Sequence, residues 1–173
     1  MKKISYFILI LVVAIVSCSN PQKQAQQDIS AAETAFYGNK ETRLDEKTAL
    51  DLITKYVDYS TKYQEDTASA EYLFKAAELS MNMNQGSQAI QYFEKIKKNY
   101  PQFGKSAEVI FMIGFVYENQ LTNYEKAKEY YQQFMAQYPG HDLFDDAEAS
   151  IRNMGKPLDQ LIEEFEAANV AED

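Results

Sequence analysis

The chain has 173 residues, with 17 lysines and arginines against 26 aspartates and glutamates and a formal net charge of −9. That length holds one domain able to bury a core without disulfides or metals, and 46% hydrophobic residues argue against a disordered chain. An acidic surface without a basic stripe disfavours nucleic acid as a partner, and one cysteine with one histidine excludes an internal disulfide and a Cys/His metal site.

In chain order, Met1-Lys2-Lys3 supplies positive charge, and Ile4 to Val16 follows as an almost unbroken apolar run. The run is short for a bilayer span, which needs roughly 20 apolar residues, and suits the apolar core of a secretory signal peptide. It ends in Ile15-Val16-Ser17-Cys18, which resembles the lipobox of bacterial lipoproteins. The resemblance implies cleavage after residue 17, acylation of Cys18 and attachment to a membrane, with Ser19 directing the protein to the outer membrane. Two or three acyl chains anchor stably where one does not, because each buried methylene contributes about 0.8 kcal/mol. Removing residues 1–17 takes away Lys2 and Lys3 and no acid, so the mature chain is still more acidic. Residues 18–30 are polar and Gln-rich, without apolar periodicity, and read as a flexible tether.

The remainder, 31–168, contains an internal repeat, followed by a short acidic tail at 169–173. Ala89 and Ala127, Phe93 and Tyr131, and Tyr100-Pro101 and Tyr138-Pro139 stand 38 residues apart. Ala77 and Gly114 stand 37 apart, which places one extra residue near Gln120 to Asn123. Leu73, Ala76 and Ala77, then Ile110, Ile113, Gly114 and Tyr117, follow the i, i+3, i+4, i+7 spacing of amphipathic helices. Gln85-Gly86 and Asn123 mark hairpin turns, and prolines 101 and 139 end the second helix of each pair. The segments Ile110-x₂-Ile113-Gly114-x₂-Tyr117…Ala127-x₃-Tyr131…Pro139 and Leu73-x₂-Ala76-Ala77-x₂-Ser80…Ala89-x₃-Phe93…Pro101 resemble the tetratricopeptide repeat.

The expected fold is therefore all-α, a solenoid of about three to four tetratricopeptide-like helix pairs. Small residues at 77, 89, 114 and 127 let paired helices approach. Upstream, Ala49 to Tyr63 reads as a second helix, with a poorly patterned first helix over Ala32 to about Asp45. Downstream, Leu143 to Met154 reads as a first helix closed by Gly155, and Pro157 opens a last helix from Leu158 to about Ala168. From Ala49 to Phe165 the chain is similar to two envelope families. One is the repeat lipoprotein subunit of the outer-membrane β-barrel assembly machinery, the other the periplasmic repeat protein that links the Tol–Pal system to cell-wall synthesis.

First-helix residues that do not face their partner helix line the concave side of such a stack. These are Glu71, Phe74, Glu78, Met81 and Asn82, then Glu108, Phe111, Phe115, Glu118 and Asn119. Repeat domains that clamp a C-terminal carboxylate carry Lys, Arg or Asn at the positions of Phe74, Glu78, Phe111 and Phe115. Phe and Glu there point instead to a basic or apolar peptide or helix as ligand. The alternative is that Phe74, Phe111 and Phe115 pack into neighbouring repeats.

No nucleophile motif or phosphate loop accompanies the repeats. His141 is solitary, and Asp145 and Asp146 suit a helix N-terminus, so neither catalysis nor a metal is expected, nor any cofactor. The sequence thus reads as a lipid-anchored, non-enzymatic scaffold for envelope proteins at the periplasmic face of the outer membrane. A role in outer-membrane protein assembly leads, coordination of cell-wall synthesis and division through Tol–Pal-type partners is the alternative, and a subunit of an envelope hydrolase comes last.

Overall fold

The computed structural model describes residues 20–38 and 45–170. Eight helices follow in order: α1 (Pro21–Tyr37), α2 (Glu46–Lys62), α3 (Ala68–Asn82), α4 (Gly86–Asn99), α5 (Ser106–Asn119), α6 (Tyr124–Gln137), α7 (Phe144–Asn153) and α8 (Leu158–Val170). There is no strand among the described residues. Helices α1–α2, α3–α4 and α5–α6 form antiparallel hairpins, and α2, α4 and α6 each pack also on the first helix of the following pair. The result is the expected all-α hairpin solenoid. The signal segment 1–17, Cys18 and residues 171–173 of the acidic tail lie outside the described residues.

The interhelix contacts follow from the small residues. A Cβ added to Gly114 would stand 3.0 Å from the Tyr131 ring, so α5 and α6 touch only because glycine lies at the crossing. Ala77 and Ala89 are fully buried at the corresponding α3–α4 crossing, beside Phe93. Phe93 meets Phe74 edge to face, centroids 5.7 Å apart, a favoured aromatic geometry. Each of the three inter-repeat junctions has the same form. Tyr63, Tyr100 and Tyr138 cap α2, α4 and α6 with ψ of 56°, 59° and 59°, and their carbonyls accept from Asp66, Phe103 and His141 N–H. Tyr63 thus extends the repeat-ending tyrosine to a third hairpin.

Two expectations are corrected at the N-terminus. Residues 21–30 are not a flexible tether, and the first helix does not run over 32–45; α1 occupies Pro21–Tyr37. Asn20 caps it by accepting from Gln22 and Lys23 N–H, and Pro21 stands in the first turn, where its missing donor costs nothing. Ala25, Ile29, Ala32 and Phe36 pack on the core at i, i+4, i+7 and i+11, a helical stripe half built of alanines. The glutamines are bonded rather than free: Gln26 Nε2 donates to Tyr59 Oη at 2.7 Å, and Gln22 Nε2 donates to Asp66.

At the other end, Gly155 closes α7 with φ of +72°, a left-handed conformation that favours glycine. Helix α8 follows Pro157 and leaves Leu158 72% and Ile162 48% exposed. Lys156 Nζ, 2.6 Å from Glu164, ties its second turn to the preceding turn.

Candidate protein-binding face

Helices α1, α3 and α5 succeed one another along one side of the solenoid, joined by polar bridges from each to the next. Lys75 Nζ on α3 lies 2.7 Å from Glu33 Oε1 on α1, and Tyr56 Oη donates to that same oxygen at 2.8 Å. Lys105, just before α5, reaches back 2.9 Å to Glu71 while its ammonium stands 4.6 Å from the centre of the Phe74 ring. Gln120 Nε2 donates to the Met81 carbonyl at 2.9 Å. His141 Nε2 is 3.9 Å from Glu108, and its Nδ1 accepts from Leu143 N–H at 3.1 Å. These bridges fix the spacing of neighbouring first helices.

The ten residues proposed for the concave face divide into four groups. Phe74 and Phe111 are core, 6% and 8% exposed. Phe111 lies 5.4 Å from the Tyr131 ring and 5.5 Å from that of Phe134; both are withdrawn from partner contact because they fill the gap between the two helices of their hairpins. Glu71, Glu108 and Glu118 are partly exposed but engaged, Glu118 by the Tyr131 hydroxyl at 2.7 Å. Met81 is half-buried and packs on the core. Glu78, Asn82, Phe115 and Asn119 are exposed, and Phe115, at 37%, is a large apolar side chain open to solvent.

Electrostatics distinguish Glu78 from the other acids. Its carboxyl is raised above the usual range, chiefly by loss of hydration and further by Glu71, against the lowering effect of Lys105 and Lys75. A carboxylate so placed gains by receiving a cation from outside. Sequence reasoning missed Lys75 and Lys105. Their partners lie 42 and 34 residues away, so no local spacing reveals them; the only signal was the position of Lys105 immediately before a first helix.

Other sequence candidates resolve as structural parts. His141 packs edge-on against Phe134, centroids 5.3 Å apart, and Asp145 and Asp146 occupy the first turn of α7. Among the described residues no group of three or more His, Cys, Asp or Glu is placed to hold a metal ion, and no helix is long and apolar enough to cross a membrane.

Residues 71–102 and 108–141 match the tetratricopeptide-repeat family model, that is, α3–α4 and α5–α6 with their closing turns. No curated protein matches the chain.

Proposed function

We propose that this chain of tetratricopeptide hairpins is a non-enzymatic scaffold, held in the bacterial cell envelope by acyl chains on Cys18, that binds a protein segment along α3 and α5. The observation that carries the binding site is the exposed row Glu78, Asn82, Phe115 and Asn119 on two rigidly bridged helices. Phe115 offers an apolar contact, Asn82 and Asn119 offer donors and acceptors to a peptide backbone, and the exposed carboxyl of Glu78 favours a lysine or arginine. An amphipathic helix or extended strand with one basic residue beside an apolar one suits that row.

The anchoring reading rests on the lipobox-like Ile15-Val16-Ser17-Cys18 and places the scaffold at the periplasmic face of the outer membrane. The test is photocrosslinking in cells from position 115, with position 111 as the buried control. Capture from 115 and none from 111 is expected; equal capture, or none from 115, sinks the site. Among captured proteins, β-barrel assembly components assign the scaffold to outer-membrane protein assembly, whereas Tol–Pal components or cell-wall synthases assign it to division. Independently, Cys18→Ser is expected to release the protein from membranes, and unchanged membrane association would end the anchoring reading.

A further inference from the structure

We propose that the edge of the solenoid formed by the three inter-repeat junctions, 63–67, 100–105 and 138–143, is a lipid-facing surface that rests on the headgroups of the anchoring membrane. The inference rests on the acylation of Cys18 proposed above and adds to it an orientation for the whole domain.

Topology supplies the first observation. In a row of antiparallel hairpins, the starts of the first helices and the ends of the second helices share one edge. The start of α1 lies on it, since Gln22 bonds Asp66 in the first junction. Helix α1 begins at Pro21, three residues after Cys18, and three residues span at most about 10 Å. Helices of 14 residues, such as α4 to α6, are about 21 Å long. An anchor at residue 18 therefore reaches the junction edge directly, and the hairpin-turn edge stands a helix length away.

Composition supplies the second observation. The junctions carry Tyr63, Tyr100, Phe103 and Tyr138, all half-buried, with the Tyr63 hydroxyl turned inward. Rings that keep one side in the protein and one in water suit the headgroup region. Lysines 62 and 98, exposed in the last turns of α2 and α4, stand at the same edge, whereas Lys105 in the second junction is already paired with Glu71. Lysine near an anionic surface is attracted to it, and its alkyl stem lies along the apolar boundary. Exposed Glu65 and Asp142 share the edge, so the anchor and the rings carry the contact with the headgroups, and the lysines offset the acids beside them.

The chain has no tryptophan, so single-tryptophan variants report position without background. The full chain, produced in a bacterium with an outer membrane, is reconstituted into vesicles of phosphatidylethanolamine and phosphatidylglycerol containing brominated acyl chains. Gln102→Trp reports from the second junction and Glu125→Trp from the opposite edge, both at exposed positions. Expected are a blue-shifted emission and marked quenching for Gln102→Trp, with neither for Glu125→Trp. Mass analysis and flotation of the same sample check the anchor. An acylated, floated chain with equal emission from both positions, or with quenching only at 125, overturns the edge while leaving the anchor standing. A chain that carries no acyl group and does not float overturns both. Lys62→Gln with Lys98→Gln is expected to weaken the quenching at 102 without releasing the acylated protein, and unchanged quenching would remove the lysines from the proposal.

Discussion

At the scale of single residues, stability concentrates where a hairpin closes. Gly114 faces a Tyr131 ring that is fully buried and whose hydroxyl is held by Glu118, so it cannot swing aside. Gly114→Val is expected to destabilise the protein by about 1–3 kcal/mol, the cost of overpacking, visible as a lower urea midpoint with unchanged helical content. The tyrosines add a dependence on alkaline pH. Burial, then the hydrogen bond to Glu33, raises the Tyr56 phenol far above its ordinary value, and burial with a carboxylate partner raises Tyr130 and Tyr131 likewise. Above about pH 10 the unfolded chain gives up these protons while the folded one keeps them. Their contribution is therefore complete below pH 10 and is lost as pH rises toward the folded values. The urea midpoint is expected to fall between pH 9 and pH 11, and Tyr56→Phe to flatten part of that fall; an identical pH profile in the variant would refute the assignment. Small residues and their facing aromatics were legible in the sequence because they recur at one period. The roles of Phe74 and Phe111 were not, because an aromatic at a helical position does not say which of two neighbouring surfaces it enters.

At the scale of elements, the central hairpins were legible from repetition and α1 was not. Its stripe of Ala25, Ile29, Ala32 and Phe36 contains only two large apolar side chains, and its glutamines look solvated until Tyr59 and Asp66, far along the chain, come to meet them. Two substitutions probe the docking of α1. Ile29→Ala is expected to cost about 2–5 kcal/mol, and Asn20→Ala, which removes the cap, about 1 kcal/mol. Both should speed hydrogen exchange in α1 before it rises in α5, and uniform acceleration would contradict independent docking. Acid acts on the same contact. The Tyr59 hydroxyl, followed by the Ala68 N–H, holds the Asp66 carboxyl below its ordinary value. That contribution is present above about pH 4 and is lost as pH falls through the depressed folded value. Opening of α1 is thus expected to precede global unfolding in acid titrations, and Asp66→Asn to remove that early phase.

At the scale of the whole molecule, the two ends of the solenoid differ. The crease between α1 and α2 is lined by Asp28, Lys55, Asp58 and Lys62 around Ala25 and Ile29, and the outer face of α1 carries exposed Gln24 and Gln27. These glutamines keep that face polar, as a terminal repeat in water needs, while Tyr37 in the last turn of α1 stays 60% exposed. The other end, at α8, leaves Leu158 and Ile162 uncovered. In the language of polymer chemistry the α8 patch is a single reactive group, and two such groups consume each other. Growth of a fibre requires two unlike surfaces that fit each other, whereas an α8-to-α8 contact uses up the same patch on both copies. Any self-association through α8 therefore stops at two copies. Sedimentation at rising concentration should approach the mass of a dimer and go no further, and Ile162→Glu should hold it at one.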